Sequence, residues 1–275
     1  IPLSTLIPNL ISGKPNRRMS VLVIAEAGIA FGRSRTALLD MVAMAHSAGA
    51  DAVKFQWWSS PTRMAEHRGG GFDLFDAYAT PLEWLQEARG MALSLGLEFM
   101  CTVYVPEDIP VIVPLVSRFK VGSAEAVSHE FIQAHRAFGQ EVIVSTGAMS
   151  DGQLIALLGR FRYLVKDPIR VLHCVSGYPT PMNQVNFRVM KHYGMDGFSD
   201  HTGEVVTGAL AVAHGAQIVE VHYRHPEIEP THPDFAVSHN PGSLRRYIQN
   251  IRLAEQAAGS NKKTILESER WLREK

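Results

Sequence analysis

One unit recurs along this chain and restricts what it can become. A short run rich in β-branched residues ends in a polar residue and is followed by a stretch with helical spacing. The runs are VLVIAE (21–26), DAVKFQ (51–56), LEFMCT (97–102), RFKVGS (118–123), EVIVST (141–146), RVLHCV (170–175), GFSDH (197–201) and QIVEVH (217–222). Seven are short and mostly continuous apolar stretches, as parallel strands buried on both faces require. GFSDH is placed by its position in the series. Helical spacing marks 36–49, 81–96, 130–139, 149–161, 205–215 and 241–259, several of them ending at a glycine, a usual C-terminal stop. Eight strands alternating with helices predict an α/β fold, a single-domain (β/α)8 TIM barrel. An open doubly wound sheet is the structural rival, but no GxGxxG follows the first strand.

The 275 residues match the roughly 250 of one such barrel. The organisation read from the sequence is an N-terminal extension (1–20), the barrel (21–260) and a C-terminal helical tail (261–275). Twenty-seven basic and 27 acidic side chains give no net charge, which argues against a nucleic-acid partner. No apolar run reaches the ~18 residues of a membrane span, and the opening segment places its charges after its apolar part, the reverse of a secretory signal. The two cysteines, Cys101 and Cys174, form no CxxC pair and end apolar runs. They read as buried thiols and point to a reducing cytoplasm. The glycine-rich segment 57–80 reads as a long active-site loop after the second strand.

A barrel places its chemistry at the C-terminal ends of its strands. Here those ends carry Glu26, Lys54 with Gln56, Thr102 with Tyr104, Lys120 with Ser123 and Glu125, Ser145 with Thr146, His173 with Ser176 and Tyr178, Asp200 with His201, and Glu220 with His222. Each has an ordinary structural reading: Lys54 reaching solvent, Ser145 capping a helix, His173 hydrogen-bonded in the core. Converging on one rim, they read as a site. Lys54 and Lys120, with the hydroxyls of Ser123 and Ser145, offer positive charge and donors for a phosphate or carboxylate. His201 and His222 are placed to share a metal. Two imidazoles leave coordination positions open, which suits a divalent ion with mixed nitrogen and oxygen ligands such as Mn2+, with Mg2+ or Co2+ as alternatives; zinc usually takes a third protein ligand. The rival for this pair is a histidine bonded to Asp200 beside an unrelated one. Glu26, Glu125 and Asp234 supply acids and bases.

The stretches IAEAGIAFG (24–32), AGADAVKFQ (48–56), FKVGSAE (119–125), VIVSTGAMS (142–150), LHCVSGYPTP (172–181), FSDHTGE (198–204), AQIVEVHY (216–223) and HPDFAVSHNP (232–241) resemble the sialic acid (N-acetylneuraminate) synthase family, in order, over nearly the whole chain. That resemblance implies a carbon–carbon bond-forming transferase of carbohydrate biosynthesis. It would condense phosphoenolpyruvate with an N-acylaminosugar or related aldehyde to a 2-keto-3-deoxy sugar acid and release phosphate. It implies His201 and His222 as metal ligands. Lys54, Lys120, Ser123, Ser145, Ser176 and Tyr178 would surround phosphoenolpyruvate. Glu26, Gln56, Thr102, Tyr104 and Asp234 would face the sugar or the metal-bound water, and Glu125 would handle the proton of the attacking water.

The chain also departs from the family. Where the family reads G-x-N-H-x-G, this sequence has Gly28-Ile29-Ala30-Phe31-Gly32, so the acceptor pocket is expected to be more apolar there. Val221 replaces a usual Lys or Arg. The loop 224–233 carries two extra histidines, His225 and His232, which read as solvated loop residues, or less simply as a third metal ligand. Family members usually continue into a small antifreeze-protein-like domain that contacts the sugar. Here the sequence stops at Lys275, so that contact is expected from a separate antifreeze-like protein, or the acceptor differs; a homo-oligomer is the other candidate partner. Two further readings stand beside the synthase. One is a non-catalytic phosphoenolpyruvate-binding or regulatory barrel. The other is a 3-deoxy-keto acid synthase with a phosphorylated acceptor, for which Arg63, His67 and Arg68 would supply cations.

Overall fold

A computed structural model of the chain describes residues 20–259 and 262–273, except 164 and 167. The proposed extension 1–20 lies outside them but for Ser20. Eight parallel strands form the single sheet: β1 (Leu22–Gly28), β2 (Ala52–Gln56), β3 (Glu98–Thr102), β4 (Arg118–Val121), β5 (Glu141–Ser145), β6 (Arg170–Cys174), β7 (Gly197–Asp200) and β8 (Ile218–His222). Their order is β3-β2-β1-β8-β7-β6-β5-β4, so the sheet curls until its ends, β3 and β4, lie side by side. No backbone ladder joins those two. Side chains bridge them at the base, where Glu98 Oε1 accepts from Ser117 Oγ (2.5 Å) and Arg118 Nε (2.7 Å).

Each strand returns through helical structure. The helices are α1 (Arg35–Ala48), α2 (Pro61–Arg68), α3 (Phe72–Ala77), α4 (Leu82–Ser94), α5 (Ile109–Ile112), α6 (His129–Arg136), α7 (Asp151–Phe161), α8 (Arg188–Tyr193), α9 (Thr207–Ala213) and α10 (Pro241–Ala257). Local chemistry sets their ends. Ser34, Ser60, Ser128 and Asn240 each accept an orphan amide at a helix start, and Ser150 with Gln153 forms a capping box on α7. The segment read as a loop, 57–80, holds two short helices instead. Their polar sequence hides the pattern, but Ser60 and Pro61 start α2, and Gly69 at φ +74° ends it. In the segment read as a helical tail, Glu267–Leu272 forms 3-10 turns.

Strand side chains alternate in direction, which divides the buried residues into two sets. Val23, Ala25, Val53, Phe55, Phe99, Phe119, Val144, Val171, Phe198, Val219 and Val221 face outward into the main core against the helices. Leu38, Met41 and Leu244 meet them there. Ile24, Ala52, Met100, Ile143, Leu172 and Ile218 face inward and plug the barrel. Each fully buried aliphatic or aromatic side chain contributes roughly 1.5–3 kcal/mol. Asp51 then ties elements together at the base: its Oδ2 accepts from Val23 N and from Arg252 Nη2 of α10, both at 2.7 Å.

Candidate active site

Two residues above Ile24, Ala52, Met100, Ile143 and Ile218 of the plug the inward positions are polar, Glu26, Lys54, Thr102, Ser145 and Glu220, and Lys120 of β4 joins them. Together with Gln56, Tyr104, Ser123, Glu125, Ser176, Tyr178, His201, His222 and Asp234 they line one cavity of about 350 Å³ at the C-terminal end of the strands. This brings all fourteen residues expected at a site into one lining. Three more contribute polar side chains there. Glu220 stood among the polar strand ends without a role, Arg68 had been set aside for a phosphorylated acceptor, and Ser199 was missed. The missing signal is strand parity, since Ser199 precedes His201 by two residues and Glu220 precedes His222 by two.

The floor is an alternating ion cluster. Lys54 Nζ lies 2.8 Å from Glu26 Oε2 and 3.4 Å from Glu220 Oε1, while Lys120 Nζ lies 3.4 Å from Glu220 Oε2. Lys54 also donates to Thr102 Oγ1 at 2.9 Å, and Ser199 Oγ donates to Glu220 at 2.7 Å. These groups are only 2–4% exposed, so burial alone would discharge them. Burial pushes the Lys54 pKa down, but Glu26 and Glu220 outweigh it and hold it above the ordinary lysine value. Burial likewise pushes Glu220 up, and Lys120, Lys54 and the Ser199 bond outweigh it and hold its carboxyl well below the usual range. The two lysines are therefore not free positive charges, as the sequence suggested; each is matched by a carboxylate.

A bulge at the end of β1, between Glu26 and Gly28, turns the chain at the rim. Gly28 has φ +53°, and a Cβ there would lie 3.2–3.4 Å from Gln56, Asp234 and Glu26. Gln56 Nε2 donates to Glu26 Oε1 at 3.0 Å. Across the cavity, hydroxyls gather around Gly147. Its amide donates to Ser123 Oγ (3.0 Å), and an added Cβ would fall 2.1 Å from Ser176 Oγ and 2.8 Å from Ser123 Oγ. Ser145 Oγ is buried in the same wall with no hydrogen-bond partner.

The rings of His201 and His222 have centroids 5.2 Å apart. His201 Nδ1 lies 2.8 Å from the Val175 carbonyl, which can only accept, so that nitrogen carries a proton and Nε2 faces the site. Tyr178 stacks on the ring at 4.2 Å and places its hydroxyl 2.9 Å from Nε2. Burial opposes a charge on His201, but Cys174 Sγ at 3.6 Å from Nδ1 and the Val175 carbonyl raise its pKa to about 9. Burial pushes His222 down, with Asp234 opposing. Among the described residues no group of three or more His, Cys, Asp or Glu side chains is arranged to hold an ion. The donor set fits a divalent ion that takes two imidazole nitrogens and fills its other positions with oxygen ligands, an ion at Nε2 of His201 replacing a proton there.

Several rim residues point elsewhere. His173 faces the core, its Nε2 2.6 Å from the Val185 carbonyl, and Asp200 accepts from Tyr247 (2.7 Å) and the Thr202 amide (2.8 Å). Thr146 donates to the Leu172 carbonyl. His225 and His232 are buried rather than solvated, and neither reaches the cavity. His225 accepts from the Glu227 amide and lies near Asp40, and His232 accepts from the Asp234 amide against the edge of Tyr78. Nor does Phe31 make an apolar pocket wall: it packs edge-on to Phe55 in the main core, with ring centroids 5.7 Å apart.

The fold is a (β/α)8 barrel, and its polar cavity lies at the C-terminal rim of the strands, where barrel enzymes carry their sites. Residues 41–263 match the NeuB family, and the chain belongs to it. It is 29% identical to the N,N'-diacetyllegionaminic acid synthase of Legionella pneumophila, over 91% of this chain and 77% of that one. It is 25% identical to human N-acetylneuraminate-9-phosphate synthase, over 92% of this chain and 75% of that one. Among solved structures, the N-acetylneuraminic acid synthetase of Leptospira borgpetersenii with citrate superimposes with a TM-score of 0.82 at 26% identity, covering 93% of this chain and 91% of that one.

Proposed function

We propose that this protein condenses phosphoenolpyruvate with an aldehyde, an N-acylaminosugar or related aldose, giving a 2-keto-3-deoxy sugar acid and inorganic phosphate, and that the reaction needs a divalent metal, Mn2+ first among candidates. The observation that carries this is the single cavity joining Lys54, Lys120 and the unpartnered Ser145 hydroxyl to the paired imidazoles of His201 and His222. Lys54, Lys120 and Arg68 in its lining, with His201 when it is protonated, face four carboxylates, Glu26, Glu125, Glu220 and Asp234. An anionic donor therefore enters without spare positive charge, which supports an accompanying cation. When bound at His201 and His222, such an ion supplies Lewis acidity toward an aldehyde oxygen.

The remaining chemistry falls to the chain. Lys54, Lys120 and the hydroxyls around Gly147 hold the phosphate and carboxylate of the donor and fix the direction of its C3. That carbon bonds to the aldehyde carbon, whose oxygen takes the C=O electron pair and one of the two protons that the water gives up, and that water adds to C2. Glu125 takes the proton of that water, and the tetrahedral species breaks its C2–O bond to release phosphate and leave the ketone. Glu26, Gln56 and Asp234, grouped at the β1 bulge, hydrogen-bond the acceptor or the ordered water beside it. We place the reaction in the cytoplasm, a reading supported by two buried free cysteines. No helix of the described residues is long and apolar enough to cross a membrane.

Incubation with phosphoenolpyruvate, Mn2+ and a panel of N-acylated and simple aldoses is expected to release phosphate. Phosphoenolpyruvate binding without release for any acceptor would replace this reading with a non-catalytic barrel. No binding at all would remove both.

A further inference from the structure

The segment between β2 and α4 delivers a guanidinium to the mouth of the cavity. Ser60 caps α2, Ser59 is held by Asp108 through its amide (3.1 Å) and hydroxyl (2.5 Å), and Met64 is buried with Ile29, Trp58 and Tyr104. Arg68 is the last residue of α2, where the helix dipole favours a cation, and Gly69 stops the helix directly after it. Its Nη2 lies 2.6 Å from Glu125 Oε1, and its guanidinium carbon sits 5.1 Å from the Tyr104 ring centroid. Arg68 is the one arginine among the described residues that lines the cavity, and its side chain remains 31% exposed. Lys54 and Lys120 are only 4% exposed, so Arg68 is the most accessible of the three cations in the lining.

We propose that Arg68, held over Tyr104 and against Glu125, is the acceptor-recognising residue of this pocket, and that its acceptor is an uncharged hydroxylated or N-acylated aldose rather than a phosphate ester. This deepens the reading above and rests on it for the identity of the donor. A guanidinium already sharing one carboxylate keeps further donors for hydroxyl or acyl oxygens. The charge of the acceptor follows from what the neighbouring cations already do. Arg63 lies 3.7 Å from Asp108, and His67 lies 3.4 Å from the Glu125 oxygen that Arg68 also contacts. Asp234 adds a carboxylate to the lining. Drawing Arg68 away to neutralise a dianion would leave Glu125, whose side chain is only 3% exposed, with the longer His67 contact in place of its closest cation.

The test pairs turnover with direct binding. N-acetylated hexosamines of gluco, manno and galacto configuration, and their 6-phosphate esters, are titrated into the Mn2+-loaded full chain by calorimetry and assayed with phosphoenolpyruvate. At least one uncharged sugar should bind, and Arg68→Ala should raise its Kd and KM tenfold or more, a larger factor than the accompanying change in the Kd for phosphoenolpyruvate. Arg68→Lys should recover part of the loss. Far-UV circular dichroism and a cooperative melt show that the variants are folded, the melting temperature falling by what the loss of the Glu125 contact costs. Unchanged sugar affinity in Arg68→Ala, selection of the 6-phosphate esters, or no binding of any uncharged sugar would overturn the proposal. Failure of phosphoenolpyruvate to bind while the Arg68-dependent sugar binding persists would instead remove the donor reading and leave this one standing.

Discussion

Gly147 shows how closely the anion-binding wall is built. Its amide is bound to Ser123, and the space a β-carbon would need is filled by the hydroxyls of Ser176 and Ser123. Gly147→Ala should push both hydroxyls aside without breaking the fold, because side-chain tips rather than backbone stand in the way. Phosphoenolpyruvate affinity by calorimetry is expected to fall at least tenfold, with the melting temperature within a few degrees of the parent; unaltered affinity would show that the two hydroxyls do not meet the donor. The fourteen residues line one cavity as the sequence suggested, most of them because a barrel strand turns polar at its rim, whereas Asp234 lies in the loop after β8 and carries no such signal. The facing of their neighbours was harder to read. His173 and Asp200 sit at strand ends yet point into the core, where the Val185 carbonyl and the Tyr247 hydroxyl satisfy them. His225 and His232 looked exposed because loops usually are, and only the tertiary fold buries them.

Among the elements, α9 and α10 are packed through an absent side chain. A Cβ on Gly208 would come within 2.6 Å of the Tyr247 ring and 2.8 Å of Ile251. Tyr247 is the residue that bonds Asp200, next to His201. Gly208→Ala should therefore cost roughly 1–3 kcal/mol of stability, as overpacking does. Urea denaturation measures it, and a cost under about 0.5 kcal/mol would show that the two helices can separate freely. The strands were legible as elements because continuous apolar runs suit a sheet covered on both faces. Helices α2, α3, α5 and α8 were not, being four to eight residues long. Length alone does not decide this, since α6 and α9 are as short and carry the apolar spacing. Helices α2, α3 and α8 bury one residue or none and α5 is a single turn, so no apolar stripe marks them.

The molecule as a whole buries several neutral imidazoles, which sets how it responds to acid. Burial pushes His135 down to about 4 and His173 below its ordinary value. His239 also falls to about 4, through burial and the nearby charges of Arg224, His222 and Arg246. His135 lies far from the cavity, between the rings of Phe119 and Phe131, with Nδ1 at 2.9 Å from the Phe131 carbonyl. Above its unfolded value of about 6.5 both states are neutral and its full contribution is present. As pH falls from 6.5 toward 4 the unfolded chain takes up a proton that the folded one refuses, so stability is lost across that window. His135 alone accounts for on the order of 3 kcal/mol. Unfolding free energy measured between pH 7 and 4.5 should decline, and His135→Gln should flatten that decline; an equal slope in the variant would assign the effect to other groups.

The strand order has one more consequence. Seven strand junctions share backbone ladders, and β3 and β4 meet without one, fastened at the base by Glu98, Ser117 and Arg118. Amide protons that face this seam have no carbonyl across it to protect them. In deuterium exchange, label should enter β3 and β4 first and reach β7 and β8, on the far side of the barrel, last. The staves of this barrel would then loosen along one line, and Thr102, Lys120 and Glu125, on or just past the two strands that flank it, would feel that motion before His201 and His222 do.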